Sequence, residues 1–516
     1  MLNRSLKLPV VLSVSTLVWT AIVALEGPFH HYYCQLSSGG ISAICRLYPY
    51  LRGPGEWPPE WRWWLKYPVK EGGPLFDIIY WRLAILLPVV GLGIVWWLWT
   101  KKSDRMRLPQ HVMLAALGFM LIVSVQFLDR GGIPLAARLI SPLYEPQYFL
   151  PAGEITDVRS FVAEQQLCLQ TNSCATFRMN SHPPGNVLFF WGFYRIADGL
   201  PPEWVAQLGQ LLRAHSVPEW VAGKDNRTLT AAGLAGVAIP AMVALAVIPV
   251  YLLGYEMVGH LRARTAAVLF LLTPALPIFA PVVDLVFVIW SSLGFLLAYI
   301  AFTRRPYLAA ALMGIVLSTA AFMSFSTLPI VLMIILMGFG LLLTSPKQTR
   351  GSILSLFMRQ GVVAFGAAAL VWILVGANPF EMFTSISANY WHIQTARSYW
   401  GWLVYGPYDL WFFAGIPVAV LCVMAVIRLA RKIFRGGEPV EKAEVWLASV
   451  VLTLAVLFIA GRLRGEVART LLYVFPLLAL ASQIKTDKMS DAGIGLITAA
   501  TLLQNITYYN TLNVYH

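Results

Sequence analysis

The chain has little charge. Only 12% of its 516 residues are Asp, Glu, Lys or Arg, while 58% are hydrophobic. A soluble protein of this length needs far more charge to cover its surface, so a soluble fold is excluded. Cysteine is also scarce, at five residues. Its spacing matches no structural zinc site. No small-residue cleavage site follows the apolar run 8–25, where Glu26-Gly27-Pro28 stands instead, so that run reads as an uncleaved first span. There is no internal repeat and no soluble domain of any size.

What is present is a series of apolar runs long enough to cross a hydrocarbon core, separated by short basic clusters. The net charge of +13 could suggest nucleic acid. The positions of Lys and Arg argue otherwise, because they follow the positive-inside rule. The expected fold is an all-α integral membrane protein with about 13 transmembrane helices. The spans expected are 8–25, 78–99, 111–128, 229–255, 265–280, 285–302, 309–325, 328–343, 353–375, 410–427, 445–460, 471–481 and 494–506. The run 186–200 is too short against the roughly 20 residues a span needs. It reads as a juxtamembrane helix that stays on the outer face. The segment 201–227 is then also external, with Trp204 and Trp220 suited to the interface. Residues 1–110 form two N-terminal spans around an aromatic-rich external loop. Residues 111–516 form the core, including a large external loop, 129–228.

Two cysteine pairs, Cys34/Cys45 and Cys168/Cys174, fall in two loops on the same expected outer side, which suggests disulfides in an oxidising compartment. Cys422 lies inside an apolar run. The loop 148–191 also carries two acids at i,i+3, Glu154 and Asp157, and then His182-Pro183-Pro184-Gly185. Such a carboxylate at a membrane boundary can act as a general base. Asp157 also suits the N-cap of a helix starting at Val158. Asp284 follows Pro281 at the start of an apolar run, where a helix N-terminal role and a binding role are both open. Arg462, Arg464 and Arg469, with Glu466 among them, are unusual on an outer face. They suit a phosphate clamp or a local salt-bridge cluster. The aromatic loop 378–409, with His392, suits sugar stacking or an interfacial belt. External acids could hold a divalent cation, though no ligand spacing requires one.

An external acidic motif, then His-Pro-Pro, then a Pro-rich span ending in Asp (LLTPALPIFAPVVD) resembles the GT-C superfamily of polytopic glycosyltransferases. Protein O-mannosyltransferases and the aminoarabinose transferases of lipid A belong to it. The resemblance covers roughly 113–300. The acids here are not an adjacent Asp-Glu, and the motif follows the third span, not the first. The resemblance implies a GT-C-like bundle in the plasma (inner) membrane of a bacterium or archaeon, with its active site on the periplasmic or extracellular side. The donor would be a polyprenyl-phosphate-linked sugar. The acceptor would be a hydroxyl on a glycan, lipid or protein, with inversion at the anomeric carbon. Glu154 or Asp157 would be the base, and His182 and Asp284 would position substrate. Arg462, Arg464 and Arg469 would hold the lipid phosphate. A secondary transporter or lipid flippase is the alternative, and a non-catalytic scaffold a third.

Overall fold

The computed structural model describes residues 4–29, 64–65, 84–101, 103–128, 135–144, 146–304, 306–395, 397–435, 439–484 and 489–513. The expected Cys34/Cys45 pair, most of the first external loop and residues 78–83 of the second expected span lie outside them. The described chain is helical. The exception is a short antiparallel pairing of Trp64–Leu65 with Leu512–Asn513. Among the described residues eight helices are long and apolar enough to cross a membrane. Shorter apolar helices, Leu86–Lys101, Tyr307–Met323 and Leu472–Ala481, overlap three more of the expected spans. The protein is a multi-pass helical membrane protein.

Helix ends follow local chemistry. Asp225 caps Asn226–Leu245 by accepting the Thr228 amide at 2.7 Å, and Ser398 caps Tyr399–Ala414 through the Gly401 amide at 3.0 Å. The expected span 410–427 is not one helix. It breaks at Gly415, whose φ of +88° a side chain rarely adopts, and resumes as Ile416–Arg435. The run 186–200 becomes the 15-residue helix Gly185–Gly199, packed against Pro146–Ala152 and Asn226–Leu245.

Contacts sort the connections into two ends. At one end, the Tyr251 hydroxyl lies 2.7 Å from His260 Nδ1 and accepts the Met106 amide at 3.0 Å. Arg264 donates to the Trp97 carbonyl at 2.7 Å, and Lys101 pairs with Asp491. The other end gathers the segment 146–228, the turn after Pro281, the Pro379–Thr395 helix and the turn 461–470. Gln126, at the end of Leu108–Phe127, reaches this end by donating to the Ala280 carbonyl at 2.7 Å. The first and last described helices run side by side in the same direction, Pro9 lying against Gly493. Arg4–Phe29 packs along Asp491–Thr511, and Trp19 donates its indole N–H to the Tyr508 hydroxyl at 2.7 Å.

Candidate functional site

The segment after Ala152 is built by side chains that fix backbone. Asp157 stands at the N-terminus of Val158–Thr171 in extended conformation and accepts the Ser160 amide at 2.7 Å. That hydrogen bond holds its carboxyl below the ordinary carboxylate range. A disulfide joins Cys168 to Cys174 and folds the chain back after the helix. Gln165 then holds the next turn, donating to the carbonyls of His182 at 3.1 Å and Met179 at 3.4 Å. Asn389, from Pro379–Thr395, bridges the carbonyls of Leu169 and Asn180 at 3.2 and 3.1 Å. The His-Pro-Pro-Gly turn ends against Tyr307–Met323, where a Cβ on Gly185 would run into the Phe322 carbonyl. Only glycine lets the two backbones approach this closely.

This framework presents His182 and Arg178 beside Asp284. Arg469 donates Nε to Asp284 Oδ2 at 2.7 Å, with side chains only 14% and 17% exposed. Glu466 lies farther from Arg469, at 3.8 Å, and is 41% exposed. Arg178 and His182 act on Asp284 as well, and Arg178 sits 5.8 Å over the Tyr148 ring. The His182 ring meets that same tyrosine edge-on at 5.6 Å. Burial, and then the charge of Arg178, push the His182 imidazole down to about 4. It is therefore neutral at neutral pH. Its Nδ1 lies 3.0 Å from Ser181 Oγ and 3.2 Å from the Arg178 carbonyl. With Nδ1–H donated to that carbonyl, Nε2 keeps its lone pair.

The turn carrying Arg469 is tightly wound. Gly461, Gly465 and Glu466 all have positive φ. Arg464 donates to the carbonyls of Gly461, Gln394 and Arg397 at 2.9–3.0 Å, and Arg397 donates back to the Arg464 carbonyl. The buried carboxylate of Asp409 accepts the Ala468 amide at 2.8 Å, fixing the residue before Arg469. Arg462 is exposed and sits 4.9 Å over the Trp391 ring.

Of the residues singled out from sequence, His182, Asp284 and Arg469 come together. Arg464 is joined to backbone carbonyls, and Arg462 lies on an aromatic face. His392 lies on Pro379–Thr395, with its side chain outside the described residues. Glu154 is exposed in the turn 153–157. That turn is held by Arg227, which donates to the Gly153 carbonyl at 3.2 Å while gripping Asp198 through Nε at 2.5 Å and Nη2 at 3.0 Å. Sequence reasoning missed Arg178, Tyr148, Arg227 and Asp409. Arg178 did carry a signal, since it precedes His182 by four residues on the same short segment. Asp284 faces guanidinium groups, a setting that repels a cation. Among the described residues no three His, Cys, Asp or Glu side chains converge on a point where a metal ion could sit. No protein-family model matches the chain, and the search of curated proteins found no match.

Proposed function

We propose that this protein is a membrane glycosyltransferase of GT-C-like architecture, taking a sugar from a polyprenyl-phosphate donor at the end of the bundle that holds Asp284 and Arg469. The observation that carries the reading is the largely buried Asp284–Arg469 pair with Arg178 and His182 beside it. Three distant parts of the chain deliver these groups to one place, and two of them are guanidinium groups. Guanidinium forks match phosphate oxygens and stabilise charge that develops as a phosphate leaves. The disulfide Cys168–Cys174 at the same end supports an oxidising, external side.

In the reaction, a carboxylate takes the proton of an acceptor hydroxyl while its oxygen attacks the anomeric carbon. The bond from that carbon to the phosphate oxygen breaks, the electron pair leaves with the phosphate, and the anomeric centre inverts. Glu154 is favoured as the base, because the Asp157 carboxylate is engaged in capping a helix. Arg469 and Arg178 receive the leaving phosphate, Asp284 orients Arg469, and neutral His182 accepts a hydrogen bond from substrate.

The test is transfer from defined polyprenyl-phosphate sugars by the protein in proteoliposomes. Arg469→Ala is expected to lower kcat/KM by about 100-fold or more. Glu154→Gln should abolish turnover, while Asp157→Asn, which preserves the cap, retains it. Full activity in both acid variants sinks the base assignment. Vectorial uptake of a solute with no glycosyl product sinks the transferase reading in favour of a transporter or flippase.

A further inference from the structure

Three longitudinal sectors of the helix Pro202–Ala214 differ in character. At roughly 100° per residue, Val205, Gly209 and Leu212 share one sector. That sector packs on the start of Asn226–Leu245. A Cβ on Gly209 would lie 2.6 Å from Asn226, Leu212 lies over Gly233, and the Thr230 hydroxyl donates to the Val205 carbonyl at 3.1 Å. A second sector holds Glu203, Gln207 and Gln210, all exposed and polar. The third holds Trp204, Leu208 and Leu211, at i, i+4 and i+7. These are 59%, 37% and 55% exposed.

A helix wholly in water has no use for three large apolar side chains in one exposed stripe. A helix wholly in hydrocarbon has no use for the polar sector beside it. We infer that Pro202–Ala214 lies along the bilayer surface, with Trp204, Leu208 and Leu211 inserted at the boundary between headgroups and acyl chains. Its depth follows from what it touches. The residues it meets, Asn226 to Gly233, are the first two turns of a membrane-spanning helix, within about 10 Å of that helix's start at 1.5 Å per residue. Interfacial helices bury their apolar face by about 5–10 Å. The spanning helix on which it packs presents Val237 and Leu245 outward, as a lipid-facing surface does.

The anchor is connected to the turn that carries Glu154. Asp198 stands just before the helix, and its partner Arg227 holds the Gly153 carbonyl. Arg227, one residue into the spanning helix on which the anchor packs, thus ties that turn to the same end of the bundle. The inference depends on the spanning bundle alone and stands whether or not the protein transfers sugars.

Nitroxide labels decide the matter. They are placed at Trp204→Cys, Leu208→Cys, Leu211→Cys, Gln207→Cys and Gln210→Cys in the full chain, in phosphatidylethanolamine–phosphatidylglycerol vesicles. The parent chain, taken through the same labelling, gives the background. The ratio of oxygen to nickel-chelate accessibility should be several-fold higher at 204, 208 and 211 than at 207 and 210. If Trp204→Cys disturbs folding, Leu208→Cys and Leu211→Cys carry the comparison. Equal, water-like accessibility at all positions overturns the inference. So does spin–spin broadening on the apolar stripe that vanishes on dilution with unlabelled protein, because a second copy would then cover the face.

Discussion

His182 is a neutral imidazole held among positive charges, and this gives the protein a pH dependence with a definite sign. The unfolded chain takes up the proton near the ordinary value of 6.5, whereas the folded chain resists it down to about 4. Between these values the unfolded state binds more protons, so stability rises with pH and is lost as pH falls through that window. The slope from this residue is at most about 1.4 kcal/mol per pH unit. In His182→Gln that contribution should disappear. Thermal midpoints of the two proteins in detergent, measured across the window, should converge towards the acid end. Parallel profiles would show that the imidazole is protonated freely. At this scale the sequence was partly informative. Ionisable residues far apart in the chain could be assigned to one interface by topology, and Asp284 and Arg469 turn out to touch. The three carbonyl acceptors of Arg464 could not be foreseen, because backbone oxygens exist at every position and leave no signature.

The helix Gly185–Gly199 makes the same residue type do opposite things. Gly185 lies where a side chain would strike the Phe322 carbonyl, whereas Gly192 has nothing near its absent Cβ. Gly185→Ala should destabilise the protein by about 1–3 kcal/mol, since backbone cannot move aside cheaply. Gly192→Ala should stabilise it by about 0.5–1 kcal/mol, the helix-interior preference for alanine. Thermal unfolding of the two variants side by side checks both signs. A destabilised Gly192→Ala would mean that this helix face is covered. Short length and flanking prolines marked this element in the sequence as too brief to span. Its tight seating on Tyr307–Met323 was not legible, because a crossing between helices far apart in sequence depends on three-dimensional register. The break at Gly415 escaped notice for a related reason. An apolar run reads as continuous even where one residue in a left-handed conformation divides it.

Over the whole molecule, the positions of most helices follow from hydropathy because each spanning segment must satisfy its own backbone hydrogen bonds in lipid. Which helices neighbour one another does not follow from it. The first and last described helices pack together, joined by the Trp19–Tyr508 hydrogen bond, and Trp19 also meets Tyr408 and Phe412 of Tyr399–Ala414 edge-on. Removing residues 1–29 should therefore strip cover from Asp491–Thr511 and lower the thermal midpoint, with broadened elution from gel filtration in detergent. A truncated chain as monodisperse and heat-stable as the parent would show that the first helix is dispensable to the bundle.

Arg469 is suspended between two struts. Its guanidinium is tied to Asp284, and the backbone one residue before it is tied to Asp409 on Tyr399–Ala414. A tilt of either support relative to the other pulls on the same arginine. Arg469 is thus the residue at which a displacement of the Asp284 turn against Tyr399–Ala414 would be registered first.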